Sequence, residues 1–239
     1  MIRYISLIFF AGMIFMNYLA NSLPINGKTT GQLSDAYPNL FVPVGLTFSI
    51  WGIIYFLVAG YCIIQFQPAF KEIAIKISWL FIMSCVFNAL WIVAWHYQKL
   101  FLSLLIMAGL LITLILINIQ VKGLSLGLIK AAFGIYLGWI CIATIANVTA
   151  LLVDEGWTGF GISQETWTII MIAAGTLIVS LSILNIQNPF IGLAVVWAFL
   201  GIILKRSDDY RSIVIAASVG ILVVGIITIY RFIMRGSSS

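Results

Sequence analysis

The stretch FSIWGIIY, Phe48 to Tyr55, decides the fold class. It holds three aromatic residues in eight positions and no charge, and it sits inside an apolar run over residues 44–66. A helix of about 20 apolar residues crosses the hydrocarbon core of a bilayer. The run is therefore read as a transmembrane helix, and its aromatics need an explanation of their own.

The rest of the chain repeats the pattern. Hydrophobic residues make up 63% of the 239 residues and charged residues only 8%. A soluble domain carries about 25% charged residues. A surface with so few charges cannot face water throughout, and helices satisfy their own backbone groups in lipid. The sequence predicts an all-α polytopic membrane protein with eight spans, over residues 3–22, 44–66, 74–96, 99–121, 129–153, 165–186, 189–204 and 211–234. The seventh run is short and begins at Asn188-Pro189, where proline is tolerated as a first helical residue. The first run resembles a signal peptide in its Arg3 and small-residue ANS, but its apolar region is too long, so it is read as a span. The terminal GSSS, 236–239, reads as an appended remnant.

The net charge of +5 is spread thinly between apolar runs, which excludes nucleic acid as a partner and points to membrane lipids. The face that holds both termini carries seven Lys and Arg residues: Arg3, Lys71, Lys76, Lys122, Lys130, Arg231 and Arg235. The opposite face carries five, with most of the acidic residues. Lys and Arg favour the cytoplasmic side. The expectation is a protein of the plasma membrane with both termini in the cytoplasm. Cys62, Cys85 and Cys141 lie inside apolar runs, no CxxC occurs and His96 is the only histidine, so an ordinary N/S metal site is not expected.

Asn88 and Asn147 stand where lipid forbids an unpartnered amide. Both should face the bundle interior, as glue between helices or as ligand contacts. Residues three or four apart share a helix face. Asn88, Trp91 and Trp95 form such a stripe; so do Tyr136 and Trp139, with Asn147 about two turns further, and so do Trp51 and Tyr55. Trp95, Tyr97, Trp157 and Trp167 fall at span ends and fit an interfacial aromatic belt. Trp51, Trp91 and Trp139 lie deeper and fit a pocket. Trp51 is about seven residues inside its run, or roughly 10 Å. The long connection 23–43 carries turn residues and three apolar anchors, Tyr37, Leu40 and Phe41, and reads as a lid or a loose tether.

The segments FSIWGIIY, FNALWIVAW and YLGWICIATIAN resemble the TspO/MBR family of tryptophan-rich membrane proteins, relatives of the translocator protein. Pro43, Trp51 and Tyr55 match its second-helix pattern, with Phe48 one place nearer the tryptophan than usual. Phe87, Asn88 and Trp91 match the third helix. Tyr136, Leu137, Trp139, Ala143 and Asn147 match the fifth. The resemblance covers about residues 1–153 and implies a TspO-like five-helix domain there. Residues 154–235 then form a three-helix extension. It further implies a receptor or sensor that binds a flat apolar ligand, a tetrapyrrole such as porphyrin or haem or a sterol-like molecule, with homodimerisation open. The site residues would be Phe48, Trp51, Tyr55, Asn88, Trp91, Tyr136, Trp139 and Asn147. The family's first-loop tryptophan and the tryptophan after Asn147 have no counterpart here.

Two other functions stay open. A small-molecule or lipid transporter would have to work without ion-coupling carboxylates, since no charged residue lies mid-span. An enzyme would need a nucleophile–base or paired-carboxylate site, and none is seen, so no catalytic residue is assigned. The pair Asp154-Glu155 reads as a solvated helix end.

Overall fold

A computed structural model describes residues 1–23 and 25–236, without the side chains of 235 and 236. The rest of the remnant predicted at 236–239 lies outside the described residues. All regular structure among them is helical. The long helices are α1 (Ile2–Ser22), α3 (Ile50–Ile64), α4 (Lys71–His96), α5 (Leu100–Gln120), α6 (Leu128–Asp154), α7 (Gln164–Ile186), α8 (Phe190–Arg206) and α9 (Arg211–Gly236), and a short α2 (Thr30–Asp35) lies in the first connection. Eight helices thus occupy the eight predicted runs, with ends within a few residues of those read from hydropathy.

Seven of them are long and apolar enough to cross a membrane. The eighth, α8, is shorter, yet it also runs from face to face, from Asn188 beside Lys130 at one end to Arg206 on the first connection at the other. With 17 residues, α8 is about 26 Å long, short of the roughly 30 Å core. Its burial explains its length. Ile191, Ala194, Val195, Ala198, Phe199 and Ile202 are all buried, so α8 is surrounded by protein more than by lipid.

The packing order places the site. Neighbouring pairs run α1 on α4, α4 on α5, α5 on α6 and α6 on α3. Helix α8 then packs on α6, and α9 covers both α7 and α8. The α6–α8 contact is close because Gly134 and Gly138 stand one turn apart on α6. A Cβ at Gly134 would meet Asn188 Nδ2 at 2.7 Å and Phe190 Cβ at 2.8 Å, and one at Gly138 would strike the Ile191 carbonyl. Lipid tails are as apolar as leucine, so helices in a membrane associate where small residues let backbones approach. Asn188 locks this junction by donating to Asn118 Oδ1 (2.8 Å) and to the Lys130 carbonyl (2.9 Å).

The two long connections, after α1 and after α6, lie on one face of the bundle. The first is more ordered than its turn residues suggest. Thr29, expected in a turn, is the N-cap of α2, and with Gln32 it closes a capping box. Helix α2 rests on the end of α4. His96 Nδ1 lies 3.0 Å from the Ile25 carbonyl, which can only accept, so Nδ1 carries the proton. Its Nε2 then accepts from the Thr30 hydroxyl at 3.1 Å. The described residues of this connection are packed on the bundle and are no loose tether: Phe41 is wholly buried and Tyr37 packs on Trp95, with ring centres 6.0 Å apart, and the segment is called the lid below for its position.

Candidate ligand site

The site starts at the entry to α3. Residues Gly45–Ser49 form a 3₁₀ turn that runs directly into the helix. Leu46, Ile53, Phe56 and Ile63 point outward. Phe48, Trp51 and Tyr55 point toward the bundle, where Trp51 becomes the hub of an aromatic cluster. Its ring centre is 5.4 Å from stacked Tyr55, 5.9 Å from Tyr136, 6.2 Å from Trp139 and 6.3 Å from Trp91. Phe48 meets Trp139 edge-on at 5.8 Å, and Trp91 stacks on Trp95 at 5.8 Å. These spacings are those of attractive aromatic pairs. Three helices that are distant in sequence therefore bring all six predicted aromatic site residues together.

Trp95 corrects the belt assignment. It is 5% exposed, stacks on Trp91 and directs its indole at the Thr30 carbonyl, 3.4 Å away. The lid removes this residue from the interface by covering it. Tyr97, two residues on, is 57% exposed and fits the belt.

Both predicted amides are buried and bonded. Asn88 accepts from Asn17 Nδ2 (2.7 Å) and donates to the Tyr136 hydroxyl (2.8 Å), which ties α4 to α1 and α6. Asn147 accepts from the Ser103 hydroxyl of α5 at 3.1 Å. Asn17 and Ser103 were not selected from the sequence. The argument that selected Asn88, an amide inside an apolar run, applies to Asn17 as well; Ser103 carries no such signal, because a serine can bond its own helix.

A cavity of about 40 Å³ opens beside the cluster, walled by Trp51, Trp91, Trp95, Trp139 and Asn147 and roofed by Thr30 and Pro43 of the lid. It has room for a few water-sized groups. Ligand pockets for drug-sized molecules are about 300–1,000 Å³. Two of its walls carry an unmet need: the Nε1–H groups of Trp91 and Trp139 are buried and have no hydrogen-bond partner among the described residues. The Tyr55 hydroxyl is buried close to the Asn17 and Asn88 amides, with no partner at full hydrogen-bond geometry among the described residues. Buried polar groups are normally paired, so such a cluster needs an explanation.

The lid over this cavity is held from α8. Arg206 donates to the carbonyls of Leu40 (3.1 Å) and Asn39 (2.8 Å), and Lys205 pairs with Asp35 at 2.9 Å. Trp197 donates to the Thr47 carbonyl (2.9 Å), and Val44 N–H donates to the Gly201 carbonyl (3.1 Å). Burial, and then the nearby Asp154 carboxylate, hold the Tyr37 phenol above its ordinary pKa. Among the described residues no group of His, Cys, Asp and Glu could hold a metal ion.

The first connection thus covers an inward-facing tryptophan cluster, with Asn88 and Trp91 on one helix and Trp139 and Asn147 on another. The family model described as TSPO-like protein matches residues 3–230. The chain belongs to the TSPO-like family. The match runs from α1 into α9, so it takes in the C-terminal helices together with the first five. Comparison with curated proteins and with solved structures returned no match. This TSPO-like chain is an integral membrane protein by its family and its apolar helices.

Proposed function

We propose that this TSPO-like protein binds a flat, apolar small molecule in the aromatic cluster around Trp51, beneath the lid. The observation that carries the reading is the pair of buried, unpartnered indole N–H groups on Trp91 and Trp139, in the wall of one cavity. Two donors without acceptors call for a ligand that brings an acceptor, such as a carbonyl or a ring nitrogen. Trp51 supplies a stacking face between them. Asn88 holds the three helices in register, and Asn147 adds an amide to the cavity wall.

At about 40 Å³ the cavity is closed down, and a tetrapyrrole enters only if the lid lifts and the rings part. Lifting the lid frees the buried Phe41 and Leu33 and breaks its polar contacts as well. Polar contacts from Lys205, Arg206 and His96 hold it, and such contacts break and re-form more readily than packed apolar surface. Porphyrin and haem, the ligands implied by the family resemblance, remain the first to test. Protoporphyrin added to the purified protein should quench tryptophan fluorescence saturably, and Trp51→Phe should weaken the affinity while the melting temperature holds. Quenching no stronger than with an unrelated membrane protein would remove the tetrapyrrole from the reading.

A further inference from the structure

A second and larger cavity lies at the same face, outside the Trp51 cluster. It measures about 240 Å³ and lies between the lid segment Pro38–Phe41, the last turns of α6 and the first turns of α7. Its flat walls are Trp157 and Trp167, with ring centres 5.0 Å apart and planes tilted by 58°. The Trp167 indole is fixed by donating to the Gly159 carbonyl at 2.9 Å. The turn that presents this carbonyl has positive φ at Gly159, Phe160 and Gly161. Phe160 at φ 52° is an unfavourable conformation for a bulky side chain. Phe160 meets Trp157 edge-on at 5.5 Å. The turn therefore braces both tryptophans.

Thr158 and Gln164, both exposed, stand at the rim, and the buried polar residues define the chemistry inside. None of the lining residues is charged. Thr149 and Thr168, 5% and 3% exposed, each donate their hydroxyl proton to their own helix, to the carbonyls of Ala146 (2.7 Å) and Gln164 (2.8 Å). With the proton committed, each hydroxyl oxygen keeps lone pairs and can only accept from a ligand. Asn39 is turned into the lid, its Oδ1 accepting from the Phe41 and Val42 amides and its Nδ2 donating one of its two hydrogens to the Tyr37 carbonyl. Apolar contact comes from Leu40, Phe41, Leu152 and Met171. The cavity therefore suits a neutral molecule with a flat ring and a hydrogen-bond donor. That specification is opposite in polarity to the Trp51 cavity, where the protein supplies the unmet donors.

We infer that this cavity is a second binding site, for a neutral, ring-bearing alcohol or phenol that stacks on Trp157 and Trp167 and donates its hydroxyl to Thr149 or Thr168. The ring reaches it from the bilayer or from the water at the loop face. The two sites share the lid, so occupation of this one bears on the segment that roofs the other.

The test uses the full chain in phosphatidylcholine nanodiscs and isothermal titration. The probes are 2-naphthol, its methyl ether and naphthalene-2-sulfonate. Saturable binding of 2-naphthol is expected. The ether lacks the donor and should bind about tenfold more weakly, the cost of one hydrogen bond left unmade. The charged sulfonate should not bind. Thr168→Val keeps the side-chain shape and should lower 2-naphthol affinity without changing affinity for the ether, and Trp157→Ala should abolish both. Trp51→Phe should change neither, which separates this site from the first. Competition by 4-dodecylphenol placed in the bilayer assigns the source to lipid, and its absence assigns it to water. Equal affinities of 2-naphthol and its ether, or binding unchanged in both Thr168→Val and Trp157→Ala, would overturn the proposal.

Discussion

Replacing Asn88 by Leu removes a side chain that links three helices. Asn88 is wholly buried, and it accepts from Asn17 and donates to the Tyr136 hydroxyl at 2.7 and 2.8 Å. Leucine keeps the branching at Cγ, so no large cavity opens; its two methyl groups are bulkier than the amide oxygen and nitrogen, so the lost hydrogen bonds set the lower bound of the cost. Interhelical bonds in membranes average about 0.6 kcal/mol and reach about 1.7 kcal/mol. Two of them total about 1–3 kcal/mol. Asn17 keeps its bond to the Met13 carbonyl at 2.9 Å, which limits its own penalty. For a chain of this size each kcal/mol corresponds to about 2–4 °C in melting temperature. A loss of about 2–12 °C is therefore expected for Asn88→Leu, followed in detergent by tryptophan fluorescence. Asn17→Leu should lose less, and the double variant should lose less than the sum, because both substitutions break the same bond. Melting of Asn88→Leu at or above the wild-type value, or full additivity, would refute the view that this amide holds the bundle together.

Four further outcomes follow from the lid and its clamp. Gly201→Ala places a Cβ against the Thr47 hydroxyl and 2.9 Å from Pro43 Cβ, so it should displace the turn before Trp51 and lower stability by about 1–3 kcal/mol in thermal melts. Arg206→Ala releases the Leu40 and Asn39 carbonyls and should speed hydrogen exchange and proteolysis within residues 34–43. Lys205→Ala, which breaks a surface pair whose Asp35 is 62% exposed, should change stability by less than about 1 kcal/mol. His96→Leu removes both ring contacts to the lid and should raise exchange over residues 25–35 while α4 stays protected.

Much of this protein was legible in one dimension. Span positions came out within a few residues because crossing lipid requires about 20 apolar residues, a local property of the chain. The inward faces of α3, α4 and α6 were legible too, because residues three and four apart share a face and an amide in hydrocarbon must turn inward. Phe48, Trp51, Trp91, Tyr136 and Trp139 meet for that reason. Other features needed the third dimension. Trp95 looked like a belt residue because its place at a helix end is all that sequence records, whereas its cover comes from Thr30, 65 residues away. The partner of Asn88 is Asn17 on a helix 71 residues earlier, and periodicity on one helix does not say which helix stands opposite. The role of α8 was the least legible. It read as a short span in an appended segment, yet it packs on α6 and pins the lid through Trp197, Lys205 and Arg206. Hydropathy is blind to this. All these helices are apolar, and the choice of neighbour rests on where glycines such as Gly134, Gly138 and Gly201 allow close approach.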